Sequence, residues 1–359
     1  MDALVERVQR EGTPLIDGDT ATFVWAGDHP IRLIADFNGW GHQPAEMSWH
    51  GPGIWTYTTT LPRNAYIEYA YFDGDRRLND PFNKRRASTG FGPSNSYFTM
   101  PDMELTPLVH GKRGVHHGML RKHLIYSDYV LAGGKRAVYL YQPPTEAPCP
   151  LLVVWDGREY LHRARLIHIV DNLVAQGRMQ PLALAMVEHG RQARFLEYAC
   201  SEATIGLLVS KVLPLAREHL NLLDVDQHPG AFGVAGASMG GLMALYTGMR
   251  LPEIFGKVIS QSGAFALQTL QRESVVYDLI RHDPTRPIDI DLGVGTMEWL
   301  LAANRRMHAL LRERGYAVTY REFCAGHNYT AWRNDIWRGL ERLWGPPAPN
   351  GPPASSWGS

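Results

Sequence analysis

Between residues 20 and 100 the apolar positions come in short alternating runs, 22–26, 31–37, 54–61, 66–72 and 97–100, broken by glycine, proline and asparagine. Period-two alternation with frequent turn residues predicts a small antiparallel β-sandwich. From Gly118 the pattern changes. Apolar runs at 138–140, 151–155, 182–187, 232–235, 258–260, 288–294 and 318–323 alternate with helix-period segments around 163–176, 202–218, 239–250, 299–314 and 331–343. Strands interleaved with helices predict a doubly wound, mostly parallel α/β sheet covered on both faces. We therefore expect an all-β domain over 1–105, a linker over 106–118, an α/β domain over 119–345 and a disordered Pro/Gly/Ser-rich tail over 346–359.

The 359 residues are enough for two such cores. Lys+Arg and Asp+Glu are equal at 36, so no net field draws nucleic acid or an anionic membrane, and neither is expected as a partner. The first residues, Met1-Asp2-Ala3-Leu4-Val5-Glu6-Arg7, are charged and do not read as a secretory signal. No apolar run approaches the roughly 20 residues of a membrane helix. Cys149, Cys200 and Cys324 are odd in number and widely spaced, which suits a reducing compartment better than a disulfide framework or a zinc site. These features predict a soluble, cytoplasmic protein without metal or cofactor.

The strongest chemical signal is Gly236-Ala237-Ser238-Met239-Gly240, between the apolar run 231–235 and the helix-like 241–246. Strand, tight turn and helix with a serine at the apex form a nucleophile elbow, in which small neighbours let the backbone turn sharply and expose the hydroxyl. A serine needs a base to lose its proton. Of the fifteen histidines, His327 stands where a base belongs, just after the last predicted strand and before the last helix. The acid that orients it is expected at Glu298, after the strand 288–292, which gives the chain order Ser238, Glu298, His327. Asp289, Asp291 and Asp335 stay open as alternatives. For the oxyanion hole the backbone N–H of Met239 is the first donor, and that of Arg158, after the strand 151–155, the candidate second.

From about 151 to 344 the chain resembles the enterochelin (enterobactin) esterase-like family of α/β-hydrolases, and more widely the feruloyl and acetyl-xylan esterases. The resemblance rests on Trp155-Asp156-Gly157, Arg194-Phe195-Leu196-Glu197-Tyr198, Gly236 to Gly241, Glu298 followed by Ala303-Asn304-Arg305, and Gly326-His327 followed by Trp332-Arg333. It implies a serine esterase acting on a small-molecule ester, with Arg194, Asp156 and Trp332 at the substrate. Ala35-Asp36-Phe37-Asn38-Gly39-Trp40, Gly53-Ile54-Trp55, 66–71 and Asn79-Asp80-Pro81 resemble the early-set immunoglobulin-like module that precedes glycogen branching enzymes and isoamylases. Asn38-Gly39 is expected as a tight hairpin turn. That second resemblance implies carbohydrate contact through Trp40 or Trp55, against core packing of the same rings. Siderophore trilactone hydrolysis, release of feruloyl or acetyl groups from polysaccharide, and a non-catalytic glycan-binding role are the readings left open, as is a homodimer.

Overall fold

The strand-forming runs of the C-terminal region build one eight-stranded sheet in the computed structural model, which describes residues 3–43, 45–90, 92–127, 129–267 and 272–346. In chain order its strands are β1 Met119–Tyr126, β2 Lys135–Gln142, β3 Leu151–Trp155, β4 Ala183–Val187, β5 Phe232–Ala237, β6 Phe255–Gln261, β7 Asp289–Gly295 and β8 Ala317–Phe323. In space they run β1-β2-β4-β3-β5-β6-β7-β8. β1, β2 and β4 pair antiparallel, while β4, β3, β5, β6 and β7 pair parallel. β3, β4 and β5 are buried at every position, as strands covered on both faces must be, which is why they read as unbroken apolar runs. β1, by contrast, is charged and exposed along most of its length, an edge strand whose composition hides it from pattern reading.

Two helices depart from expectation. The segment 202–218 is three pieces, Glu202–Leu207, a π-helical Leu208–Val212 and Leu213–His219. Pro214 has no N–H to return to the preceding turn, and the widened π turn absorbs the missing bond. The segment around 163–176 holds a helix only over Leu166–Ala175, after Arg165 in a left-handed conformation. Residues 106–110 are tied down: Asn334 accepts from the Thr106 amide, and the Asn172 side chain donates to the carbonyls of Leu108 and His110. The tail expected over 346–359 lies, from 347 on, outside the described residues. No single helix among the described residues is long and apolar enough to cross a membrane.

The N-terminal region forms two antiparallel sheets. One orders Leu15–Asp17, Thr20–Ala26, Ile54–Thr60 and Ser48–Gly51; the other orders Ala45–Glu46, Arg32–Ala35, Tyr66–Asp73, Asn95–Thr99 and Arg86–Ala87, with Arg76–Leu78 beside Tyr66–Asp73. Phe23, Leu33, Ile67, Tyr69, Tyr71 and Phe98 fill the core between them, with Phe23 edge-on to Tyr69 and Phe98. The expected strand 31–37 ends at Ala35. Asn38-Gly39 is no two-residue hairpin, because Asp36–Gly41 winds into a 3-10 turn with Asn38 at φ −118 and positive φ at Gly39 and Trp40. The Asn38 side chain causes this: it accepts from the Ala35 amide at 2.8 Å and donates to the Leu33 carbonyl at 2.9 Å, so it closes the turn on itself.

Chain contacts gather these elements into two compact units. One joins the N-terminal residues through Leu105 to Val294–Ala302 and Arg321–Ala331; the other holds Thr106–Gly293, Ala303–Tyr320 and the chain from Trp332 onward.

Candidate active site

In the larger unit, β5 delivers Ser238 into a backbone conformation that few residues tolerate, φ 60 and ψ −122. The flanking glycines permit it. A Cβ at Gly236 would sit 2.3 Å from the Gly240 carbonyl oxygen, so the turn closes only if position 236 lacks a side chain. The Ser238 amide donates to Gln261 at 2.8 Å, and its carbonyl accepts from Leu242 and Ala264 at 3.1 and 3.0 Å. With its backbone tied on both sides and its side chain partly exposed, Ser238 stands at the start of Met239–Arg250. The Met239 amide therefore lies in the first turn, where N–H groups have no intrahelical acceptor.

The loop after β3 belongs to the same neighbourhood, since a Cβ at Gly240 would be 3.1 Å from Asp156 Oδ2. Arg158 occupies the second residue of Gly157–His162, another first-turn amide, and its side chain is exposed. Asp156 is buried and takes a two-pronged ion pair from Arg194, Nε to Oδ1 at 2.7 Å and Nη2 to Oδ2 at 2.6 Å. Glu197, three residues on, binds Arg136 and the Gly190 amide. Trp332 is 4% exposed and donates its indole N–H to Ser262 Oγ at 2.9 Å, which makes it a brace for the turn after β6 more than a substrate wall.

In the smaller unit the predicted acid and base meet. His327 Nδ1 and Glu298 Oε2 are 2.5 Å apart, and Glu298 Oε1 accepts from the Gly295 amide at 2.6 Å. The Glu298 side chain is fully buried and that of His327 is 14% exposed. A carboxylate so placed selects the imidazole tautomer with its proton on Nδ1, directing Nε2 to proton transfer, and it stabilises the imidazolium. The alternative acids differ. Asp289 and Asp291 both bind Arg342, and Asp335 is buried.

Pattern reading missed what holds the histidine loop. Cys324 accepts from the Tyr66 amide at 2.9 Å, Ala325 accepts from Met297 at 3.1 Å, and Tyr66 Oη donates to Thr330 Oγ1 at 3.3 Å. Met297 and Cys324 pack on the sandwich core. Trp299, 47% exposed, lies over the imidazole with ring centroids 4.7 Å apart. Gly326 is required for close approach: a Cβ there would fall 2.0 Å from Asp36 Oδ1. The only sequence signal for these contacts is the cluster of apolar and aromatic residues around Asp36 and Tyr66, which by itself looks like ordinary sandwich core.

A mostly parallel eight-stranded sheet with a serine elbow after β5 defines an α/β-hydrolase. A family model described as "Putative esterase" matches residues 130–343, and the chain belongs to that family: it is a carboxylic ester hydrolase of the serine type. The iron(III) enterobactin esterase of Dickeya dadantii is 27% identical, over 95% of this chain and 92% of that protein. The iron(III) enterobactin esterase of Escherichia coli K12 is 24% identical, over 82% of this chain and 80% of its own. Among solved structures, the ferric enterobactin esterase from Salmonella typhimurium shares the fold with a TM-score of 0.78 at 23% identity, covering 90% of this chain and 93% of that one.

Proposed function

We propose that the chain hydrolyses the ester bonds of an enterobactin-like siderophore trilactone through an acyl-enzyme on Ser238. His327 Nε2 takes the hydroxyl proton as Ser238 Oγ bonds to the ester carbonyl carbon, and the Met239 and Arg158 amides donate to the oxyanion. The tetrahedral centre collapses, the bond to the leaving oxygen breaks, and His327 returns the proton to that oxygen. Water then attacks the acyl carbon and gives a proton to His327, the acyl bond to Ser238 Oγ breaks, and His327 returns the proton to Oγ as the acid leaves. The observation that carries this reading is the Glu298–His327 bond, in a chain whose serine sits in an elbow.

The substrate follows from the relatives. The Dickeya match spans nearly the whole chain, sandwich included, as a siderophore esterase of the same build would. Three free cysteines support a cytoplasmic setting. One observation favours carbohydrate contact as a second reading: Trp49, 64% exposed, stands opposite Trp55 across the edge of its sheet. Trp40 and Trp55 themselves spend their indole N–H groups on Asp36 and the Gly27 carbonyl.

The test is a rate comparison of enterobactin, methyl ferulate and p-nitrophenyl butyrate on the native protein and Ser238→Ala. Loss of activity on the order of 10³-fold or more in the variant is expected, with enterobactin preferred over methyl ferulate. A Ser238→Ala protein at the parental rate would falsify the mechanism, and a preference for methyl ferulate would move the substrate to carbohydrate-linked esters.

A further inference from the structure

We propose that Asp36, from the N-terminal sandwich, is a positioning residue for the base: its carboxyl seats the Cα of Gly326 and so fixes the backbone that presents His327 to Glu298. This rests on His327 acting as the base.

Asp36 follows the strand Arg32–Ala35, enters the 3-10 turn and is 2% exposed. Oδ1 accepts from Trp40 Nε1 at 2.7 Å and Oδ2 from the Glu68 amide at 2.7 Å, so the carboxyl is clamped in orientation by two donors from different elements. The clamped face meets Gly326, where an added Cβ would lie 2.0 Å from Oδ1 and 2.2 Å from Cγ. No φ in the left-handed region explains this glycine; the contact does. From Gly326 the next residue is His327, and the loop has few other ways to shift. Cys324 is held by Tyr66 and Ala325 by Met297, and a Cβ at Gly295 would be 2.3 Å from the Ala325 oxygen.

The charges facing Asp36 suit a buttress. Burial above all, then the negative charges of Glu68 and Glu298, push its carboxyl well above the usual range, despite the stabilising bonds from the Glu68 amide and Trp40. Burial thus disfavours the charged form of Asp36, and the geometry of the clamp, not its charge, carries the contact with Gly326. The run Asp36-Phe37-Asn38-Gly39-Trp40 then has a purpose within the esterase. Asn38 closes the turn, Trp40 aims Asp36, and Asp36 carries the histidine loop.

A double-mutant cycle tests this, with p-nitrophenyl butyrate as substrate and near-UV circular dichroism to confirm folding. Gly326→Ala should lower kcat about 100-fold with KM within about threefold, because a misplacement near 1 Å costs that much. Asp36→Ala should cost about tenfold in kcat. In the Asp36→Ala background the space is open, and Gly326→Ala should cost less than about tenfold, the non-additivity expected of groups in contact. An equal cost in both backgrounds, or Asp36→Ala with parental kcat, overturns the proposal. Should Asp36→Ala not fold, Trp40→Phe keeps an aromatic side chain and removes the N–H to Oδ1 together with the rest of the indole; a roughly threefold or larger drop in kcat at constant KM supports the proposal and an unchanged kcat overturns it. His327→Ala, run alongside, separates the two levels. If it keeps parental activity the base assignment fails and this inference with it, whereas an inactive His327→Ala with an additive cycle removes this inference alone.

Discussion

The nucleophile elbow and the acid–base loops are built on opposite principles. Ser238 is placed by its immediate neighbours: the glycine two residues before it, a positive φ, and backbone bonds to the end of β6, to the loop after it and to its own helix. His327 and Glu298 lie 29 residues apart, in loops that answer to Asp36, Tyr66 and the sandwich core. A local device withstands changes elsewhere in the chain, while an assembled one inherits the tolerance of every part that touches it. The sandwich is therefore no mere appendage to a hydrolase, since the unit that contains it also holds the hydrogen-bonded Glu298 and His327 proposed as acid and base.

Perturbing the assembled half should have graded consequences. Glu298→Gln keeps the shape but loses the charge that selects the tautomer, and kcat should fall about 10³- to 10⁴-fold; Asp335→Asn and Asp291→Asn, assayed in parallel, should stay within about tenfold. Equal loss at Asp335 would reassign the acid. Next comes Asn38→Ala, which strips an acceptor from the Ala35 amide and a donor from the Leu33 carbonyl. Urea denaturation should show about 1–3 kcal/mol of lost stability, with kcat down several-fold at unchanged KM if the turn supports the base.

The smallest effect belongs to the far end of the helix that follows His327. Arg178 grips Glu341 with two bonds of 2.8 Å and holds its carboxyl below the ordinary value of 4.5. A depressed carboxyl contributes above its unfolded value and loses that contribution as pH falls through the folded one. Glu341→Gln should cost under about 1 kcal/mol at pH 7, as half-exposed pairs do, and the gap from the native protein should narrow as pH falls below the ordinary carboxylate range. Its kcat should match the native protein; a large drop would show that the base is steadied from the helix instead of the sandwich.

Much of this architecture was readable in advance because burial on both faces leaves a plain mark. The strands β3 to β7 announced themselves as apolar runs, and the elbow as a small-residue signature at a strand–helix junction. Glu298 and His327 could be ranked by loop position and chain order alone, and the structure joins them. β1 escaped notice because an exposed edge carries no periodic pattern, and the break at 208–212 because a single proline acts on hydrogen bonding and leaves amphipathicity intact.

The one-dimensional chain determined which residues could do chemistry and which local turn would expose the serine, since both depend on neighbours within a few positions. Tertiary structure alone decided that Arg194 would spend itself on Asp156, that Trp332 would brace a turn, and that Asp36 would rest against Gly326. Those contacts join residues tens to hundreds of positions apart, and their energy exists only once the sheets have packed, so no local propensity could encode them.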